Sequence, residues 1–103
     1  MHPLSKPQLL ANDFDFAKML PAWQVNLTAQ ELERVFIFKD FKGAFQFMTL
    51  CASLAEELDH HPDWSNSWNK VSVRLSTHSM KALTELDVTM ASAMDQFALQ
   101  VVS

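Results

Sequence analysis

Three histidines and one carboxylate occur at positions from which a proton-transfer site could be built. His60 and His61 are adjacent, His78 follows 17 residues after His61, and Asp87 lies nine residues further on. Imidazole is the side chain whose ordinary pKa lets it give or take a proton near neutral pH, and a hydrogen-bonded carboxylate can fix its tautomer. These residue types therefore indicate general acid–base chemistry as the first hypothesis.

Each of these residues also has a purely structural explanation. Histidines directly after a helix complement its dipole, and an acid in the first turn of a helix is stabilised by the helix N-terminus. A histidine at the end of a strand can simply be hydrogen-bonded to backbone. The joint placement favours a site, because the ends of three different elements could converge at one edge of a sheet and form the mouth of a pocket.

Two other kinds of chemistry are less favoured by the residue pattern. Zinc binds histidine and carboxylate ligands, but the chain has no His-x-x-x-His or His-Glu-x-x-His spacing. Cys51 falls on the apolar face of a predicted helix, where burial raises the pKa of a thiol, so it is a poor nucleophile. A zinc-binding protein is therefore the minor alternative.

The composition predicts one domain, residues 1–103, with a single core, since 49% of the residues are apolar. The net charge of −4 supplies no basic field, so direct binding to nucleic acid is disfavoured. Cys51 is the only cysteine, which excludes an intrachain disulfide and fits a reducing compartment. No apolar run approaches the ~20 residues that span a bilayer. We expect a cytoplasmic protein without membrane contact.

The first half of the chain contains the weaker structural signals. Residues 1–22 are interrupted by prolines and predict a loose arm with at most a short helical turn at 14–20. Apolar and polar residues alternate over 23–27, and an apolar face continues over 32–38, which predicts two strands. A hairpin turn near residues 28–30 would join them.

The second half contains two helical patterns and a further strand. Apolar residues recur at helical spacing over 40–58 and again after Thr84, where Asp87 follows at a spacing close to that of a capping box. Polar residues over 62–67 predict a loop, and clean alternation over 69–76 predicts a strand. The fold class is therefore α+β, with an antiparallel sheet of three to four strands and two long helices, besides the possible short N-terminal helix, packed on one face.

Three side chains beside the histidines need their own explanation. Glu56 lies in the last turn of the first long helix, where the dipole disfavours negative charge, so we expect a protonated imidazole as its partner. Trp68 is expected to pack in the core, the usual fate of tryptophan. Trp64 could either pack or stack on a flat heterocycle.

The order of these residues resembles the signature of the pterin-4a-carbinolamine dehydratase family. The resemblance covers the chain from about residue 23 to the C-terminus. Both residue type and interval agree, with three, five, nine and eight residues separating the successive members of the set Glu56, His60-His61-Pro62, Trp68, His78 and Asp87. Family members usually begin with a better-formed helix, and the prolines here predict a shortened one.

The resemblance implies a hydro-lyase that dehydrates 4a-hydroxytetrahydropterins to quinonoid dihydropterin in tetrahydrobiopterin recycling, without metal or cofactor. It implies His60, His61 and His78 as catalytic residues. Our hypothesis is that His60 and His78 protonate the departing hydroxyl while His61 accepts or orients the proton on N5. The residues expected to bind the substrate are Asp59, Trp64, Glu56 and Asp87. Asp87 could instead hold an imidazole tautomer.

The competing hypothesis is a protein-binding module without enzymatic activity, because animal relatives also serve as dimerisation cofactors of a transcription factor. The resemblance further implies a homo-oligomer, either dimer or tetramer. An exposed apolar stripe on the last helix, including Met94 and Phe97, would suit such an assembly.

Overall fold

The computed structural model describes residues 7–101, whose backbone forms a four-stranded sheet. The strands are β1 (Gln24–Asn26), β2 (Glu31–Ile37), β3 (Asp63–Ser67) and β4 (Lys70–Leu75). All neighbours are antiparallel, in the order β1-β2-β4-β3. The helices are α1 (Phe16–Met19), α2 (Phe41–Leu58) and α3 (Glu85–Gln100). The predicted α+β class, with two long helices and a short first one, is confirmed.

The core lies between one face of the sheet and the two long helices. In β4 every second residue is buried, and Val71 of this strand faces the buried Phe36 of β2 in register. Phe47 of α2 is fully buried against Phe36, with ring centroids 4.6 Å apart. The other fully buried apolar side chains from the helices are Ala44, Cys51, Met90, Ala91 and Met94. Removing a large side chain from this layer would cost about 3–5 kcal/mol.

Both long helices begin at side chains that satisfy free backbone N–H groups. Asp40 accepts a hydrogen bond from the Gly43 N–H at 3.0 Å at the start of α2. At the start of α3, Thr84 and Asp87 form a complete capping box, as their spacing predicted. The positions of both helix starts are therefore fixed by local sequence.

Residues 7–22 are attached to the body of the protein more firmly than a loose arm would be. Leu20 is buried in the core. The backbone of Leu9 pairs with that of Thr84, and the Gln8 carbonyl accepts a hydrogen bond from the Glu85 N–H at 2.9 Å. The predicted helical turn is only the four-residue α1, which ends before Pro21. The predicted arm also includes residues 1–6, which lie outside the described residues.

Three predictions made from the sequence were wrong. The expected loop at 62–67 contains strand β3, because backbone pairing with β4 stabilises a polar edge strand that has no apolar alternation. Trp68 is 64% exposed at φ 52° in the β3–β4 turn, so it is not a core residue. Met94 is fully buried and cannot form an exposed stripe on α3.

The sequence predicted no segment that spans a membrane. No helix within residues 7–101 combines the length and the apolar character needed to cross a bilayer.

Candidate active site

The end of α2 turns the chain so that His60 faces the protein interior. Asp59 has left-handed backbone angles, φ 52° and ψ 45°. The His60 N–H donates to the Ala55 carbonyl at 3.0 Å, and the Asp59 N–H donates to the Glu56 carbonyl at 3.3 Å. This is the hydrogen-bond pattern of a Schellman motif, which reverses the chain direction at a helix C-terminus. His60 is therefore placed by backbone geometry.

His60 and Asp87 form a buried pair. The His60 Nε2 lies 2.7 Å from the Asp87 Oδ1, and the two side chains are 8% and 0% exposed. Because a carboxylate only accepts, Nε2 carries the proton in this bond. Within residues 7–101, Nδ1 has no hydrogen-bond partner, whereas every buried side-chain nitrogen or oxygen there has one. Nδ1 is therefore the ring atom that reaches the surface.

The other Asp87 oxygen is held by two threonines. Oδ2 accepts a hydrogen bond from the Thr77 hydroxyl at 2.7 Å and another from the Thr84 N–H at 2.9 Å. The two threonine hydroxyl oxygens are 2.6 Å apart. Since the Thr77 proton points to Asp87, the Thr84 hydroxyl donates to Thr77. Three donors, the His60 ring, the Thr77 hydroxyl and the Thr84 N–H, thus surround a carboxylate at the start of α3, where the helix dipole also favours negative charge.

His78 lies on a short turn that begins at Thr77. The Thr77 N–H donates to the Ala82 carbonyl at 3.1 Å, and the Lys81 N–H donates to the His78 carbonyl at 3.2 Å. The ring Nε2 of His78 lies 3.3 Å from the Asp63 Oδ2, in a pair whose side chains are 73% and 50% exposed. Asp63 thus gives His78 a preferred orientation in solvent.

His61 forms the third histidine–carboxylate pair. Its Nε2 lies 2.7 Å from the Glu56 Oε2, with side chains 54% and 79% exposed. The acid at the C-terminal end of α2 therefore has an imidazole partner, as the sequence predicted.

The three histidines line one cleft of about 220 Å³, together with Asp59. The remaining lining residues are Pro7, Ser76, Thr77, Ser79 and Leu86. Imidazoles from two distant segments of the chain therefore share one solvent-accessible space. A group bound there could receive a proton from one ring and give a proton to another.

Not every residue singled out from the sequence lines this cleft. Asp87 is fully buried behind His60, so its contact is with that imidazole. Glu56 touches His61 but does not line the cleft, and Trp64 lines a different groove. Thr77 and Asp63 were not predicted from the sequence as site residues. Thr77 could have been suspected because it immediately precedes His78, whereas the contact of Asp63 depends on the undetected strand β3.

A wider groove of about 700 Å³ lies across the outer face of the sheet. Its ionisable side chains are carboxylates and guanidinium groups, namely Glu33, Asp63, Arg34 and Arg74. It contains no histidine, so it lacks the side chain whose ordinary pKa is close to neutrality. For proton transfer the smaller cleft is the better candidate.

Metal and thiol chemistry receive no support from the geometry. Among the residues that the structure describes, no three His, Cys, Asp or Glu side chains are close enough to hold a metal ion. Burial raises the pKa of the Cys51 thiol from 9.0 to about 12, so the nucleophilic thiolate is scarce near neutral pH.

Comparison with known sequences gives consistent matches along most of the chain. A family model described as pterin 4 alpha carbinolamine dehydratase matches residues 3–97. A protein of Bordetella avium (strain 197N), provisionally named pterin-4-alpha-carbinolamine dehydratase, is 49% identical over 81 residues, which are 79% of this chain and 75% of the relative. A protein of Synechococcus sp. (strain WH7803) with the same provisional name is 46% identical over 93 residues, 90% of this chain and 91% of the relative.

Two solved structures share the fold. The crystal structure of a transcriptional coactivator/pterin dehydratase from Brucella melitensis superposes with a TM-score of 0.79 at 41% identity, covering 88% of this chain and 99% of that one. A pterin dehydratase-like protein described as a RuBisCO assembly factor in the alpha-carboxysome superposes with a TM-score of 0.66 at 21% identity, covering 78% and 93%. At that identity the second likeness concerns the fold alone.

Proposed function

The chain belongs to the pterin-4a-carbinolamine dehydratase family, and from this premise we propose that it dehydrates a 4a-hydroxytetrahydropterin to the quinonoid dihydropterin by histidine acid–base catalysis. Membership confirms the resemblance noted in the sequence and the prediction of a hydro-lyase. The substrate, the roles of the histidines and a place in tetrahydrobiopterin recycling are our proposal.

The observation that carries the proposal is the convergence of His60, His61 and His78 on one cleft. The reaction breaks the bond from C4a to the hydroxyl oxygen and forms a double bond between C4a and N5. Hydroxide is a poor leaving group near neutral pH, so its oxygen must receive a proton and leave as water. The N5 proton must pass to an acceptor. No electron is gained or lost, so histidines suffice without a redox partner.

His60 is the best-oriented acid in the cleft. Its Nε2 is bonded to Asp87, which leaves Nδ1 as the atom that can face the substrate. A protonated ring would donate from Nδ1 to the departing hydroxyl, while the buried carboxylate stabilises the imidazolium. Of the two roles considered for Asp87, this geometry favours holding the imidazole over contacting the pterin edge.

His78 and His61 are proposed to act from more exposed positions. His78 would supply the second proton donor to the hydroxyl, and His61 would accept or orient the N5 proton. Each ring is paired with a carboxylate, Asp63 for His78 and Glu56 for His61. Asp59 lines the same cleft and can accept hydrogen bonds from N–H groups of a pterin ring. Trp64 lines a different groove, so the geometry supports no pterin contact for it.

The test is carbinolamine dehydration measured with purified protein and with the variants His61→Ala and His78→Ala. We expect metal-independent turnover in the wild type and a loss of about 10²- to 10⁴-fold in each variant, since that is the usual contribution of a positioned acid or base. Their folds should be unchanged because both side chains are exposed. Turnover at the wild-type rate by both variants would contradict the proposed roles.

The protein-binding alternative is separated by the same experiment. A module without enzymatic function would show no turnover with purified protein, and its partner binding would be insensitive to His61→Ala and His78→Ala. Stoichiometric zinc without turnover would instead support the metal-binding alternative. The proposed homo-oligomer is tested by sedimentation of the same samples.

A further inference from the structure

Thr77 is linked to both sides of the histidine cleft. Its hydroxyl donates to the Asp87 Oδ2 at 2.7 Å, and Asp87 in turn holds His60. Its backbone N–H and carbonyl both bond to Ala82, at 3.1 and 3.4 Å, which closes the turn that carries His78. The same residue is thus linked to two of the three histidines by different atoms.

We propose that Thr77 is a positioning residue that couples His60 to His78. The proposal builds on the acid–base function proposed above, in which both rings act on one hydroxyl group. Two donors can serve the same oxygen only if their separation is maintained. The buried Thr77 hydroxyl fixes the Asp87 carboxylate, and the Thr77 backbone fixes the start of the turn that carries His78. The positions of both rings therefore depend on Thr77.

The chemistry of the position explains why a hydroxyl is needed. Asp87 Oδ2 has two donors within residues 7–101, the Thr77 hydroxyl and the Thr84 N–H. The Thr84 hydroxyl uses the Thr77 oxygen as its acceptor. Valine at position 77 would keep the shape but remove one donor from a buried carboxylate and one acceptor from a buried hydroxyl. An unmet buried polar group is costly, so the carboxylate would be expected to move and to release the His60 ring.

The experiment compares Thr77→Val with Thr77→Ser, which retains the hydroxyl. Thr49→Val is the matched control, because the Thr49 hydroxyl also makes a hydrogen bond, to the Phe45 carbonyl at 2.9 Å, but lies on an exposed part of α2. We measure kcat and KM for dehydration, and ¹⁵N spectra of the His60 ring. For histidines that bind a metal, removing the hydrogen-bond partner behind the ring commonly lowers activity about 10- to 100-fold, and we expect a loss of the same order for His60.

The expected result is a loss in that range in kcat for Thr77→Val, with KM little changed and with altered His60 ring resonances. Thr77→Ser and Thr49→Val should resemble the wild type in both readouts. Wild-type turnover in Thr77→Val would overturn the proposal. An equal loss in Thr77→Ser would overturn it too, because the hydroxyl would then not be the group that matters. Unchanged His60 resonances alongside lost turnover would exclude the route through Asp87.

Two further outcomes keep this inference separate from the dehydratase function. If the wild type shows no turnover, the dehydratase proposal fails, and the His60 resonances of Thr77→Val alone decide whether Thr77 positions that ring. If Thr77→Val does not fold, NMR of the wild-type protein tests the coupling instead. A slowly exchanging Thr77 hydroxyl proton together with an Nε2-protonated His60 supports the coupling, and the absence of either one overturns it.

Discussion

The buried histidine–carboxylate pair and the two exposed pairs use the same functional groups in opposite settings. The nitrogen–oxygen distance is 2.7 Å both in His60–Asp87 and in His61–Glu56. The first pair is almost completely removed from solvent, whereas the second is mostly exposed, as is His78–Asp63. Distance alone therefore says little about what each pair contributes.

The difference shows how one cleft can combine rigidity with tolerance to change. Removing one partner of a buried ion pair commonly costs about 3–5 kcal/mol, because the other charge is left without a partner. Exposed pairs contribute about 0–1 kcal/mol. His60 is thus held in place by the same interactions that start α3. His61 and His78 are held by local turns, and their replacement should change the chemistry with little effect on the fold.

The largest expected effect comes from Asp87→Ala. The variant removes the capping box of α3 and leaves the His60 ring, the Thr77 hydroxyl and the Thr84 N–H without their acceptor. We expect the free energy of unfolding to fall by about 3–5 kcal/mol, measured by urea denaturation.

Glu85→Ala is the matched control for Asp87→Ala. Glu85 occupies the first turn of the same helix and is exposed, so its removal tests the dipole interaction alone. That loss should be about 0.3–1 kcal/mol. Equal losses in the two variants would show that burial of the pair contributes nothing beyond the charge at the helix start.

A second prediction extends the comparison to the buried thiol. Burial raises the folded-state pKa of Cys51 from 9.0 to about 12. An acid whose folded pKa is raised stabilises the fold fully below its unfolded pKa, and this stability is lost as pH rises through the window from 9 to 12. The chain has no tyrosine, so lysines are the main other side chains that titrate there.

We therefore expect the stability of the wild type to fall more steeply above pH 9 than that of Cys51→Ala, in chemical denaturation at pH 7 to 10.5. Lysine titration affects both proteins equally and cancels in the difference. Parallel pH profiles would mean that the thiol is already accessible to solvent in the folded state.

A third prediction concerns the strained residue at the exposed side of the cleft. Asp59 adopts φ 52°, a conformation in which glycine carries no steric penalty. We expect Asp59→Gly to increase the free energy of unfolding by up to about 1 kcal/mol, and to raise KM for the pterin because a cleft carboxylate is lost. Asp59→Asn, which tolerates the same backbone angles, should change stability less. If Asp59→Gly destabilises the protein, the Asp59 side chain has a structural role that the cleft geometry does not reveal.

The sequence predicted the features that depend on neighbouring residues better than those that depend on distant ones. The capping box at Thr84 and Asp87 and the buried stripe of α2 were predictable, because each depends on residues within a few positions of one another. The histidines could be named from their spacing and family resemblance. The partner of each ring could be only partly anticipated, since Asp87 reaches His60 across 27 residues.

The failures at strand β3 and at Trp68 have one physical cause, which is that strand pairing outweighed local preference. Strand β3 contains Asp63, Ser65 and Asn66, residues typical of loops, yet β4 supplies the backbone partners for a strand. Trp68 was expected in the core from its size, but the β3–β4 turn places it in solvent. Thr77 carries no local signal for its contact with Asp87, which forms only once the turn closed by Thr77 and Ala82 brings the two residues together.

The smallest expected effect is that of Glu56→Gln, which tests the exposed side of the comparison. Two contributions oppose each other here. The substitution weakens the pair with His61, worth about 0–1 kcal/mol, but it also removes a negative charge from the C-terminal end of α2, where the dipole disfavours it by about 0.3–1 kcal/mol. The net change should lie within about 0.5 kcal/mol.

Glu57→Gln is the control, because Glu57 is exposed in the same turn and makes no ion pair within residues 7–101. It should therefore gain the dipole term alone and become slightly more stable. The difference between the two variants measures the pair itself, and it should disappear in 1 M salt, where the Debye length is about 3 Å. A difference above about 1.5 kcal/mol, or one that persists in salt, would mean that the exposed His61–Glu56 pair stabilises the fold as much as a buried pair does. The distinction between the buried and the exposed pairs would then be wrong.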